Sequence, residues 1–376
     1  MARATGHRAQ IHLTSSGCHL TAGVPTTVQP RGGSPRPAHD GARQRPVALL
    51  FPGQGAQQPR MAAGLYGHSG VFTDVMDAAF SLLEGEGAQI RADWLLPAPP
   101  EKLDDVTCAH PLLYAVGYAL GRLVESWGIE PAALLGHSVG ELVAATLAGV
   151  LEFEDAIRLI RDRMRIFADT PPGGMLTVAA TPGQATAYVS GEIAIAAVNG
   201  PQQVVLAGPA MQLAAAERRL RTDGFSCIRT RARQAFHSPV VADAAARSVG
   251  GWEVTPLRAP RRTLYSAYLG DVLPAGRARD PRFWAAQPAE PVLFGPTLDR
   301  LLGQGDFLMI EAGSRTGLSA LARRHPAVAA GRSAVIAMLP ARAGNPDDDR
   351  RAVDAAAARS RAEGHHMVAG HGSATS

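Results

Sequence analysis

The sequence predicts a mixed α/β fold with a small α+β unit inserted into a larger one, and three observations predict it. Continuous apolar runs at residues 46–51 and 131–135 read as strands buried on both faces. Longer stretches at residues 111–127 and 153–168 set apolar residues at helical spacing: Leu113, Val116, Leu120 and Leu123 in the first, Ile157, Ile160, Met164 and Phe167 in the second. Between residues 175 and 230 the order is strand, helix, strand, strand, helix, strand. Within about 60 residues that order describes a ferredoxin-like unit.

Composition sets the limits. The 376 residues are 46% hydrophobic and 19% charged, enough for a large core and incompatible with global disorder. The net charge of +4 comes from arginine, with Lys102 the lysine of the chain, and no basic stripe interleaved with aromatics points to nucleic acid. Cys18, Cys108 and Cys227 are too few and too scattered for a disulfide framework or a metal site. No apolar run approaches the ~18 residues of a membrane span, and the N-terminus lacks the apolar segment of a secretory signal. A soluble, cytoplasmic protein is expected.

In chain order, residues 1–44 lack periodicity and are expected to be disordered, as a tail, a linker or translated sequence upstream of the true start. After the first strand, Pro52-Gly53-Gln54-Gly55-Ala56-Gln57 is either a simple turn or a loop that brings backbone N–H groups and an amide to a ligand. It lacks the Lys-Ser/Thr ending of a phosphate loop. Residues 65–83 are expected to be helical, and residues 97–100 to be a loop. The helix over 111–127 stops at Gly128. Most arginines of the 153–168 helix are expected to be solvated. Pro171-Pro172-Gly173-Gly174 is a break. Beyond the small unit come a strand at 264–266, a short helix at 280–287, a helix at 297–302, and strands at 307–310 and 334–339 that flank a helix at 318–323. From residue 341 Ala, Arg, Asp, Gly and His dominate, and a disordered polar tail is expected, with His365, His366 and His371 belonging to it rather than to a metal site. The predicted organisation is a large subdomain over 45–172 and 233–340, a small one over 173–232, and tails over 1–44 and 341–376.

One turn could carry chemistry. Gly136-His137-Ser138-Val139-Gly140 sits between a strand and a helix, the order of a nucleophile elbow. The sharp turn would lift the Ser138 hydroxyl to the head of a helix, where free N–H groups can stabilise an oxyanion. The alternative is a tight turn with an ordinary solvated serine. Ser138 would need a base, and His237 of Gln234-Ala235-Phe236-His237-Ser238-Pro239 lies where the chain should return to the large subdomain. A capping or surface histidine is the alternative there.

Together these stretches resemble the malonyl-CoA:acyl-carrier-protein transacylase family, which includes the acyltransferase domains of polyketide synthases. The resemblance covers about residues 46–340 and rests on four motifs in order: residues 51–57, residues 136–141, Val198-Asn199-Gly200-Pro201 and residues 235–239. It implies an α/β-hydrolase-like large subdomain with a ferredoxin-like insertion. It implies Ser138 as the acyl-carrying nucleophile and His237 as base and then acid. It further implies the backbone N–H groups of Gln54 and Val139 as oxyanion hole, the main chain of Gln287 as orienter of the histidine, and Arg163 as grip on a substrate carboxylate. The implied reaction is ping-pong transfer of a malonyl group from acyl-CoA to the phosphopantetheine thiol of an acyl carrier protein, without metal or redox cofactor. Phe236 beside the histidine is the malonyl type of motif and should fill the space of an α-methyl. The expected protein is a monomer acting on a carrier protein in a separate chain or in a synthase module, in polyketide or fatty-acid synthesis.

Some positions depart from the family pattern: Met164 for a glycine beside Arg163, His110 for a glutamine, Gln234 for the first histidine of the malonyl motif, and Glu311-Ala312-Gly313-Ser314 for a Gly-Pro ending. His110, Met164, Gln234 and Phe236 are therefore expected to line the substrate pocket and to bear on the acyl group. Transfer of a larger uncharged acyl group between carrier proteins, hydrolysis of acyl groups from carrier proteins, and a non-catalytic carrier-binding scaffold are the rival readings.

Overall fold

Strand β1 (Val47–Phe51) lies inside a sheet whose neighbouring strands are equally apolar, so its five residues are buried from both sides. The computed structural model describes residues 44–98 and 101–366. The remaining strands are β2 (Ala133–Gly136), β3 (Gly173–Val178), β4 (Ala194–Gly200), β5 (Gln203–Pro209), β6 (Cys227–Arg229), β7 (Thr263–Ser266), β8 (Asp271–Val272), β9 (Leu308–Glu311) and β10 (Ala334–Ala337). The large sheet runs β10-β9-β1-β2-β7-β8, parallel throughout except for the antiparallel β7–β8 pair.

Side chains alternate across this sheet. Leu49 and Phe51 point into a core built with the helices Gly70–Leu82, Val106–Ser126, Val139–Leu147 and Phe153–Ala168. Ala48 and Leu50 point into a second core that contains Phe294, Leu298 and Leu301 of the helix Phe294–Leu302. Ala196, Ala197, Val205 and Ala207 of the small subdomain belong to this second core, so the insertion is packed onto the large sheet. The small sheet is antiparallel in the order β4-β5-β3-β6, covered by the helices Pro182–Thr186 and Ala210–Thr222. This is the α/β-hydrolase-like and ferredoxin-like pairing implied by the motifs.

Several expectations need correction. The helix expected over 65–83 begins only at Gly70, capped by Ser69, and a further helix spans Gly85–Leu95. The helix expected to open at Pro111 begins at Val106: Asp105 caps it, accepting from the Thr107 N–H at 3.0 Å, and Pro111 lies inside. The C-terminal stretch is not a tail up to residue 362, because Pro346–Ala362 is a helix. Asn345 and Asp348 form its capping box, Pro346 opens it and three aspartates occupy its first turn, all of which favour a helix start. Val353, Ala356 and Ala357 bury one face in the main core, Asp349 accepts from the Gly64 N–H at 3.0 Å, and Glu363 pairs with Arg45 at 2.5 Å. The N-terminal stretch up to residue 43, and His371, lie outside the described residues. No described helix is long and apolar enough to cross a membrane.

Candidate active site

The site begins at the carboxyl ends of β1 and β2, where open α/β sheets commonly bind ligands. Phe51 is paired with Gly136, which sets the loop after β1 against the turn after β2. Ser138 occupies that turn with φ 55° and ψ −123°, a left-handed backbone that a serine adopts only under constraint. A Cβ on Gly140 would lie 2.1 Å from the Phe51 carbonyl oxygen, so only glycine allows this approach. The helix Val139–Leu147 starts immediately, and the Val139 N–H is among its first four, which have no partner within the helix.

His237 also has a left-handed backbone, φ 63°, and its N–H donates to the Pro288 carbonyl at 2.6 Å. Its Nδ1 lies 3.2 Å from the Gln287 carbonyl and 2.9 Å from the Glu290 carbonyl. Both are acceptors only, so Nδ1 holds the proton and Nε2 is left as an acceptor. Nε2 is 2.8 Å from Ser138 Oγ, in range to accept the serine proton. Burial, then the neighbouring His137, push the His237 pKa down to about 4, against the pull of its two carbonyl partners. The imidazole is therefore neutral near pH 7.

Arg163 and His110 act electrostatically on His237 or feel it, and Gln54 and Phe236 contact His110. Arg163 is half-buried; burial pushes its guanidinium down, Tyr268 opposes that shift, and no carboxylate pairs with it among the described residues. His110 is buried, with Nε2 3.2 Å from Gln54 Oε1 and Nδ1 without a partner. Burial and then Arg163 and His237 lower its pKa to about 3. Its ring lies 5.2 Å from that of Phe236, which is 5.2 Å from that of Phe167. Gln54 donates through Nε2 to the Asp104 carbonyl at 3.3 Å. Gln234 is buried with Oε1 unpartnered, and Met164, next to Arg163 in the chain, is buried in the main core.

Three neighbours of the dyad had no role assigned from sequence. The Glu290 carbonyl is closer to His237 than that of Gln287, and a backbone atom leaves no mark in a sequence. Tyr268 puts its ring 6.0 Å from His237, and its phenol, pushed up by burial, interacts with Ser138. It stands just past the carboxyl end of β7, a position from which the topology could have found it. Glu141 is fully buried: Oε1 accepts from Ser266 Oγ at 2.6 Å and from Gln287 Nε2 at 3.2 Å, and Oε2 accepts from the Ala267 N–H at 2.9 Å. It thereby ties the helix after the nucleophile to the segment that orients His237.

Residues 48–340 match the acyl transferase domain family. The chain belongs to that family. This acyl transferase domain is 35% identical over 281 residues to a component of the phenolphthiocerol/phthiocerol polyketide synthase of Mycobacterium tuberculosis, a match covering 74% of the chain and 19% of that protein. It is 33% identical over 289 residues to polyketide synthase GfsB of Streptomyces halstedii, covering 73% of the chain and 5% of the relative. The domain thus spans a small part of these relatives. The acyltransferase domain from the second module of the salinomycin polyketide synthase has the same fold, with TM-score 0.77 and 31% identity over 86% of this chain and 75% of that one. The acyl transferase domain of SpnD, in complex with 2-(pent-4-yn-1-yl)malonyl, gives 0.79 and 28% over 86% and 78%. The malonyl CoA-acyl carrier protein transacylase of Clostridium perfringens, at 20% identity, shares the fold with TM-score 0.73 over 84% and 98%.

Proposed function

We propose that this acyl transferase domain carries a malonyl-type acyl group as an ester on Ser138 and delivers it to the phosphopantetheine thiol of an acyl carrier protein, in polyketide or fatty-acid synthesis. Ser138 Oγ attacks the thioester carbonyl while its proton passes to His237 Nε2. The Val139 and Gln54 N–H groups hold the oxyanion. On collapse the C–S bond breaks and the proton moves from His237 to the leaving thiolate of CoA. The carrier thiol then attacks the ester, His237 takes its proton, and the proton returns to Ser138 Oγ. Every step is an acyl or proton transfer, so the reaction consumes no redox equivalent and calls for no metal.

Arg163 carries the choice of acyl group. A desolvated guanidinium without a carboxylate partner, beside His110, His237 and Tyr268, favours an incoming carboxylate. It speaks against the uncharged acyl reading, since a pocket of that kind would leave the cation unpaired. The substituted malonyl in the SpnD domain supports the same class. Phe236, wedged between His110 and Phe167, favours malonyl over methylmalonyl; excluding one methyl discriminates by about 1–3 kcal/mol.

Intact-protein mass after mixing with malonyl-CoA, methylmalonyl-CoA or acetyl-CoA tests this, with Ser138→Ala as control. A malonyl adduct absent from the variant is the expected result. An acetyl adduct equal to the malonyl one would sink the assignment of Arg163, and an adduct that decays in water as fast with carrier protein absent as with it present would favour the hydrolase.

A further inference from the structure

Four arginines from four separate stretches of chain line one cavity of 360 Å³. Arg60 follows the loop that holds Gln54, Arg231 lies on the return from the small subdomain, Arg315 lies just after β9, and Arg342 follows β10; Gln58 completes the wall. Gathering like charges is unfavourable unless an anion offsets them. The protein offsets them only in part. Arg231 has Asp104 at 3.5 Å, with its own side chain 74% exposed. Arg60 gives one N–H to the Leu95 carbonyl and feels the field of Asp349. Arg315 Nε is buried without a hydrogen-bond partner, and no ion pair among the described residues involves Arg315 or Arg342. Arg60 and Arg315 hold left-handed backbones, φ 56° and 64°, a conformation that non-glycine residues seldom adopt and that gathers at ligand sites.

The cavity adjoins the candidate active site. Gln58 and Arg60 continue the loop that contains Gln54. Gly313, two residues before Arg315, is so close to that loop that a Cβ would lie 2.3 Å from Pro52 Cδ. Asp104, the partner of Arg231, accepts from Gln54 Nε2 at 3.3 Å through its carbonyl and from Gln57 Nε2 at 2.9 Å through its carboxylate.

We propose that this cavity binds a phosphate group borne by the pantetheine arm that brings or receives the acyl group. Planar guanidinium groups offer paired N–H donors to phosphate oxygens, and Arg315 and Arg342 line the cavity with no carboxylate partner among the described residues. The phosphate is either one of those of CoA or the phosphodiester that joins the arm to a carrier protein. The inference rests on reading the domain as a pantetheine-thioester transferase and adds where that arm is anchored.

Calorimetric titration with CoA, 3′-dephospho-CoA and pantetheine reads the first source, and acyl transfer to free phosphopantetheine against pantetheine reads the second. The variants are Arg315→Gln and, because both side chains are exposed and tolerate change, the double variant Arg231→Gln/Arg342→Gln. The expected result is a loss of about tenfold or more in affinity, or a matching rise in KM, for a phosphate-bearing ligand, with pantetheine unaffected. A loss confined to CoA assigns the site to the donor; one confined to phosphopantetheine assigns it to the acceptor. Equal effects with and without phosphate, no effect in either arm, or a defect seen only with a whole carrier protein would overturn the proposal, the last in favour of an acidic protein surface. Acyl-Ser138 forming normally while the variants match the wild type removes this proposal alone. Phosphate-dependent binding without any acyl-Ser138 removes the transferase reading and leaves the cavity.

Discussion

His137 Nε2 lies 2.8 Å from Asn199 Oδ1, a bond that joins the residue before the candidate nucleophile to the small subdomain. Asn199 belongs to β4, and the same strand is fastened again nearby, where the Val198 N–H donates to the Val292 carbonyl at 2.8 Å and the Val292 N–H to the Ala196 carbonyl at 2.9 Å. The insertion therefore holds the elbow as well as flanking it. Asn199→Ala leaves the His137 ring N–H without its acceptor and should cost about 1–3 kcal/mol in urea unfolding. Loosening the elbow should lower kcat more than it changes KM. Asn199→Asp keeps the acceptor and should restore both; if it does not, the bond is incidental.

Arg163 is where acyl selection is most exposed to test. Arg163→Ala should lower the rate of malonyl transfer to Ser138 by about 10²–10³-fold, the worth of a desolvated bidentate ion pair, and leave acetyl transfer within a few-fold. Arg163→Lys should recover only part, because a point charge cannot match the planar fork. A variant that loses malonyl and acetyl transfer equally would show Arg163 acting through structure, not through the carboxylate.

The sequence revealed most where chemistry is local. The elbow shows because strand, turn and helix are contiguous, and the helix Phe153–Ala168 emerges residue for residue from amphipathic spacing. The small subdomain shows because its six elements succeed one another without interruption. Other features depend on distant partners. Nothing near Tyr268 in the chain announces Ser138, and nothing at Glu290 marks its carbonyl as a partner of His237. The helix Gly85–Leu95 begins with two glycines among charged residues, and Ala242–Arg247 with Val249–Glu253 are too short to display a period. The C-terminal helix was hidden by composition: its alanines and arginines read as a polar tail, although Asn345-Pro346-Asp347-Asp348 is a start signal on its own terms.

His237 sets the acid limb of the reaction. With its pKa pushed down to about 4 from the ordinary 6.5, the base stays neutral well into acid. The acylation rate of Ser138 should be flat from pH 8 to about 5, where an unperturbed imidazole would already have failed. Stability follows from the same burial. The unfolded chain binds protons at His237 and His110 near 6.5, the folded one only near 4 and 3, so this contribution is intact above about 6.5 and is lost as pH falls. His110→Gln should flatten the stability profile in that window. An acylation rate halved at pH 6.5 would show that the imidazole is not held in this way.

Glu141 opposes that trend. Burial raises its carboxyl to about 8, against the three donors from Ser266, Ala267 and Gln287. A carboxyl raised above its ordinary 4.5 favours the fold while protonated, so its contribution is whole below about 4.5 and declines as pH rises through about 8. Glu141→Gln removes the titration but turns an NH₂ group toward groups that are themselves donors, which should cost about 1–3 kcal/mol at acid pH. The gap between the two proteins should then narrow as pH rises from 5 to 8. Because Gln287 offers its amide to Glu141 and its carbonyl to His237 Nδ1, and that carbonyl draws the His237 pKa up, the same variant should lower kcat with little change in KM and lower the pH at which acylation fails. Thermal unfolding at pH 5, 6.5 and 8 with the acylation profile beside it checks both. A constant stability gap across that range would mean that Glu141 does not change its protonation there, and an unchanged acid limb would separate it from His237.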